Sequence, residues 1–129
     1  MRDFRQLEVW RKAQDLVIAV YRETAHFPLG EQYGLTSQLR RAAVSVSANI
    51  AEGSGRGSDQ DFARFLDMAM GSVAETRSHL ELVHDLGYLK PEIMENLSQK
   101  ALEVGRMLSG LSEKLRKKAH NKGRIANSG

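Results

Sequence analysis

The chain has 129 residues, no cysteine and two prolines, which excludes a disulfide framework, thiolate zinc ligation and a cysteine nucleophile and favours long helices over a many-turned β fold. With 41% hydrophobic and 27% charged residues, it reads as one globular domain rather than a disordered chain. The formal charge is +3, the first ten residues are too charged for a signal peptide, and no stretch nears the ~18–20 apolar residues of a membrane span, so a cytoplasmic setting without a membrane partner is expected.

Four segments carry helical periodicity. In the first, about Gln6 to Thr24, Leu7, Trp10, Val17, Ile18 and Tyr21 gather on one side of a helical wheel, and Val9, Ala13, Leu16 and Val20 continue the arc. The arc spans about 200°, twice what a surface helix needs. Pro28 stops it. In the second, about Leu35 to Glu52, the stripe is Leu35, Leu39, Ala42, Val46 and Ile50. Val44, Ser47, Ala48 and Ala51 lie off that stripe and are small or apolar, and Gly53 suits a C-cap. The third, about Asp59 to Leu86, is capped by Ser58 with Asp61 three residues on. Its residues Phe62, Leu66, Ala69, Val73, Thr76, Leu80 and Val83 form a heptad seam, closed by Gly87. The fourth opens on Pro91 and repeats the heptad through Leu97, Ala101, Val104, Leu108, Leu111 and Leu115. No strand alternation appears. Short connections between long helices predict an all-α, antiparallel, up-down-up-down four-helix bundle over residues 1–118, followed by a disordered basic tail over 119–129.

Charge is unevenly placed along this frame. Residues 58–89 hold two basic and six acidic side chains, whereas 113–129 hold six basic and one acidic; residues 1–112 together hold 13 basic and 15 acidic. The basic character therefore belongs to the end of the chain, where it can meet phosphate backbones or merely solubilise a helix end. Candidate nucleic-acid contacts are Arg40, Arg41, Arg56, Lys114, Arg116, Lys117, Lys118, Lys122 and Arg124. The surplus apolar surface of the first two helices has two readings: a broad core face, or burial against further copies of the chain. The second makes Val9, Leu16, Val44, Ser47, Ala48 and Ala51 the interface candidates.

Catalytic and cofactor chemistry finds no support. His79 and His84 are five residues apart, which sets them about 140° apart on a helix rather than on one face, and no second helix supplies the Glu-x-x-His mate of a di-iron bundle. No metal, cofactor or catalytic residue is expected. Gly53-Ser54-Gly55-Arg56-Gly57 precedes a helix but follows no strand and lacks the Lys-Ser/Thr pair, so it reads as a connection with Arg56 available to a phosphate rather than as a P-loop.

Several runs carry a family resemblance: Leu7-Glu8-Val9-Trp10, Phe27-Pro28, Tyr33 through Val46 (YGLTSQLRRAAVSV), Ala48-Asn49-Ile50-Ala51-Glu52-Gly53, then Phe62, Phe65, Leu66, Ala69, Gly71-Ser72, Ala74-Glu75 and Leu86-Gly87-Tyr88. The chain resembles the bacterial four-helix bundle family of 23S rRNA-intervening sequence proteins over about residues 4–90. The resemblance implies a homopentameric ring. A related branch, the accessory variability protein of diversity-generating retroelements, resembles a basic barrel that binds nucleic acid and works with a reverse transcriptase. The expectation is a non-enzymatic oligomer with RNA or DNA as partner, and a reverse transcriptase as a further one; a protein-protein scaffold is the alternative.

Overall fold

A computed structural model describes residues 2–128, with side chains through residue 124. Four helices dominate: α1 (Glu8–Thr24), α2 (Leu35–Ser54), α3 (Asp59–Asp85) and α4 (Pro91–Ser128), with short 3-10 turns at Phe4–Gln6 and Leu29–Glu31. No strand occurs among the described residues, and no helix there is long and apolar enough to cross a membrane.

The boundaries have local causes. Ser58 Oγ accepts the Asp61 N–H at 3.1 Å, and Asp59 and Asp61 put negative charge in the first turn of α3, where the helix dipole favours it. At the other end Gly87 takes φ +81°. Its N–H donates to the His84 carbonyl, and the Tyr88 N–H donates to the Val83 carbonyl, both at 2.9 Å. That pairing is a Schellman stop, and Pro91 starts α4 five residues after Leu86. The sequence places the end of α2 at Gly53, but α2 runs to Ser54, with the Gly55 and Arg56 N–H groups closing it onto the Glu52 and Gly53 carbonyls.

Each helix packs closely on two neighbours: α1 on α2 and α4, and α3 on α2 and α4. The four therefore ring a shared core as a four-helix bundle. All seven heptad positions of α3 are buried, as are Leu97, Ala101, Val104, Leu108 and Leu115 of α4. Between α2 and α3 a small polar seam is satisfied internally. Ser72 Oγ donates to Ser45 Oγ at 2.9 Å, and Asn49 Nδ2 donates to the Ser45 carbonyl at 2.9 Å.

One expectation needs correcting. The face of α1 that enters the core is Val9, Ala13, Leu16 and Val20; Trp10 and Val17 are half-buried, and Ile18 and Tyr21 are exposed. The core face is thus turned about 120° from the aromatic-rich side, counting 100° per residue. The large rings serve the rim instead: Trp10 packs edge-on against Phe4, centroids 4.9 Å apart, and Tyr21 carries the Arg40 guanidinium. Val9 and Leu16 are consequently core residues of a single chain, closed to a second copy. The backbone of α4 is helical from Pro91 to Ser128; Gly129 lies outside the described residues. No proline interrupts the run, and the i,i+4 pair Glu113–Lys117 (3.1 Å) supports it.

Candidate nucleic-acid interface

The connection between α2 and α3 is four residues long, so Arg56 is held just past the end of α2 and two residues before the α3 cap. Its guanidinium pairs with Glu52 at 2.9 Å and lies over the Phe65 ring, 4.6 Å from the centroid. Arg64, on α3, covers the same ring at 5.2 Å. The N-terminal arm brings Arg2 to this end of the bundle, where it sits over Phe62 at 4.8 Å. Arg2, Gly55, Arg56 and Gly57 line a groove of about 590 Å³.

Asp59 is the centre of this end. It is the first residue of α3 and its side chain is only 7% exposed. The Arg2 guanidinium donates to one carboxylate oxygen. The other, Oδ2, has no hydrogen bond; it faces the ammonium groups of Lys118 and Lys122, each at 3.7 Å. Burial pushes the Asp59 carboxyl up, but Lys118, the Arg2 hydrogen bond and Lys122 outweigh it and hold the group below the usual carboxylate range. Lys118 and Lys122, four residues apart, share a face of α4 and reach this carboxylate together.

The remaining candidate cations fall elsewhere. Arg116 chelates Asp67 and donates to Ser112 Oγ at 2.8 Å. The Arg116 hydrogen bond is the chief reason the Asp67 carboxyl lies below its ordinary range. Lys117 pairs with Glu113. Lys114 and Arg124 are exposed and form no ion pair among the described residues. Arg40 stands fourteen residues before Ser54 in α2, roughly 21 Å along the helix, and closes the C-terminus of α1. Its Nε donates to Thr24 Oγ1 at 2.8 Å and its Nη2 to the Tyr21 carbonyl at 3.3 Å. Arg41 is exposed on the outer face of α2 with Val44 and Ala48, whereas Ser47 is buried and Ala51 half-buried. The structure therefore gathers Arg56, Lys118 and Lys122, and sets Arg40, Arg41 and Arg116 apart.

Arg2 and Asp59 were not among the sequence candidates. The available clue was complementary charge: the acidic 58–89 segment becomes α3, the basic 113–129 segment falls in α4, and the two helices are neighbours. His79 pairs with Glu75 at 3.4 Å and His84 lies beside Asp85 at 3.7 Å. Among the described residues no three His, Asp or Glu side chains come together to hold a metal ion.

The sequence profile of 23S rRNA-intervening sequence proteins matches residues 5–110. The chain belongs to this family. A solved structure with a similar fold is a protein of unknown function from the S23 ribosomal protein family of Bacteroides thetaiotaomicron, at 25% identity and a TM-score of 0.71, covering 81% of this chain and 97% of that one. No curated protein matches the chain. The match to the 23S rRNA-intervening sequence profile takes in Arg56 and Asp59 but neither Arg2 nor the basic residues from Lys114 onward.

Proposed function

We propose that this member of the 23S rRNA-intervening sequence family is a non-enzymatic, homo-oligomeric bundle that binds the phosphodiester backbone of RNA or DNA through basic side chains at one end. The carrying observation is the convergence of cations from three separate stretches of chain, Arg2, Arg56 and the Lys118/Lys122 pair, around one helix start. Connections of ten, four and five residues between consecutive helices support an up-down-up-down path with antiparallel neighbours. A pentameric ring rests on the family resemblance, and the exposed apolar and small side chains Val44 (38% exposed), Ala48 and Met68 (48%) support a contact between copies on the α2–α3 side.

Backbone contacts of this kind are sequence-tolerant and salt-dependent. Four phosphate contacts on a single strand predict an affinity about 50-fold lower at 200 mM than at 50 mM salt. Fluorescence anisotropy with a labelled 20-nucleotide RNA and its DNA counterpart tests this. A protein-protein scaffold is the second reading, favoured by the engagement of Arg40, Arg116 and Lys117 within the fold. Absent or salt-insensitive binding selects it. Neutral substitutions at Lys118 and Lys122 serve better than deleting residues 113–129, because the deletion removes Leu115 from the core.

A further inference from the structure

We infer that Asp59 is a built-in competitor for the bound phosphodiester: in the free protein its carboxylate occupies Arg2, Lys118 and Lys122, and a phosphate displaces it. The inference rests on the nucleic-acid reading above and names what regulates that site.

Three observations carry it. First, the pairing is lopsided. One buried carboxylate faces three cations, so positive charge remains in excess after Asp59 is satisfied; Arg56, which borders the same groove as Arg2, is balanced by Glu52. Second, the contact with the lysines is loose. At 3.7 Å neither ammonium reaches hydrogen-bond distance, and Oδ2 is left without a partner. A mobile phosphate can approach the same ammonium groups at ~2.7–2.9 Å, whereas Oδ2 attracts them by charge alone, without a hydrogen bond to fix them. Third, the lysines are free to move. Their side chains are 61% and 69% exposed at the end of α4, beyond the last buried leucine, Leu115, whereas Asp59 is fixed in the first turn of a 27-residue helix. The cations can turn toward a ligand while the carboxylate cannot follow. Asp59 thereby shields the basic end from weak anions and lets only a multivalent one open it.

The test compares the full-length protein with Asp59→Asn, using the labelled RNA and DNA 20-mers across 50–300 mM salt. Asp85→Asn, an equal charge change on the exposed far end of α3, is the control. Asp59→Asn is expected to bind about tenfold tighter at 100 mM salt with an unchanged salt slope, because the same cations meet phosphates in both complexes. Asp85→Asn is expected to track the wild type. If Asp59→Asn does not fold by circular dichroism, Asp59→Ser keeps a short polar group in the first turn. In the wild type, moreover, the Asp59 carboxyl carbon resonance is expected to shift on adding RNA. Binding by the wild type that is lost in Lys118→Gln/Lys122→Gln, yet no tighter in the Asp59 variants and without that shift, overturns the competitor role and leaves the binding reading standing. No binding by any variant overturns both.

Discussion

Gly53 of α2 lies so close to Phe65 of α3 that a Cβ on the glycine would stand 2.6 Å from the phenylalanine Cβ and 3.0 Å from Phe62 Cδ1. The nearest obstacle is anchored to the α3 backbone and cannot rotate away, so the two helices would have to separate. Gly53→Ala gains about 1 kcal/mol of helix propensity, but overpacking of this kind costs ~1–3 kcal/mol and the movement would disturb both rings. A net loss of up to about 2 kcal/mol is expected in urea denaturation. A stabilised variant would show that the α2–α3 separation is soft.

Leu16 and Ile18 separate the two faces of α1. Leu16 is fully buried and Ile18 is 40% exposed. Leu16→Ala is expected to cost ~2–5 kcal/mol and Ile18→Ala under 1 kcal/mol. Thermal melts of the two variants check the orientation; equal losses would reinstate the aromatic-rich side as a core face.

Arg40 acts as a cap for α1, so its loss belongs to stability. Arg40→Ala is expected to lower stability by about 1 kcal/mol through the lost bonds to Thr24 and the Tyr21 carbonyl. Its nucleic-acid affinity should stay at the wild-type value. Arg41→Ala, on the exposed face, should change stability by less than about 0.5 kcal/mol.

Acid should loosen the α3–α4 pairing. Both Asp59 and Asp67 have folded pKa values below the ordinary 3.8. A depressed carboxyl contributes stability above its unfolded pKa and loses it as pH falls through the folded one, so the loss begins near pH 4 and continues downward. Asp67 is 43% exposed, and solvent screening holds its share to about 0.5 kcal/mol or less. Stability measured from pH 6 to pH 2 should fall less steeply in Asp67→Asn than in the wild type.

Assembly is tested by size. Light scattering of the wild type at micromolar concentration should give about 72 kDa for five 14.4 kDa chains. Val44→Glu with Ala48→Glu, which places charge on the outer face of α2, should give a folded 14.4 kDa species. A wild-type mass near 14.4 kDa removes the ring from the proposal.

The four helices were legible because their seams repeat cleanly: Phe62 to Val83 and Leu97 to Leu115 each step by three and four, and every α3 position so marked is buried. Helix punctuation was equally readable at Ser58, Gly87 and Pro91. The face of α1 was not, because nine apolar side chains spread over about 200° leave the period without a unique direction. Trp10 and Tyr21 are bulky enough to suggest a core, yet amphipathic enough to sit at its rim. The basic end was half legible. Arg56, Lys118 and Lys122 stood out by charge, but Arg2 and Asp59 are joined across 57 residues, and local spacing carries no information about a contact of that range.

The far end of the bundle has its own long-range tie. Tyr88 packs on Phe27, with centroids 5.4 Å apart, and donates its hydroxyl to Glu31 at 3.0 Å, again across 57 residues. The molecule is therefore lashed at both extremities, once by a phenol and once by a carboxylate. Each lashing encloses a long loop whose closure is entropically expensive, so both are expected to form late in folding. Amides of α1 and of the α3–α4 turn should then exchange with solvent as one cooperative unit rather than fraying outward from the chain ends.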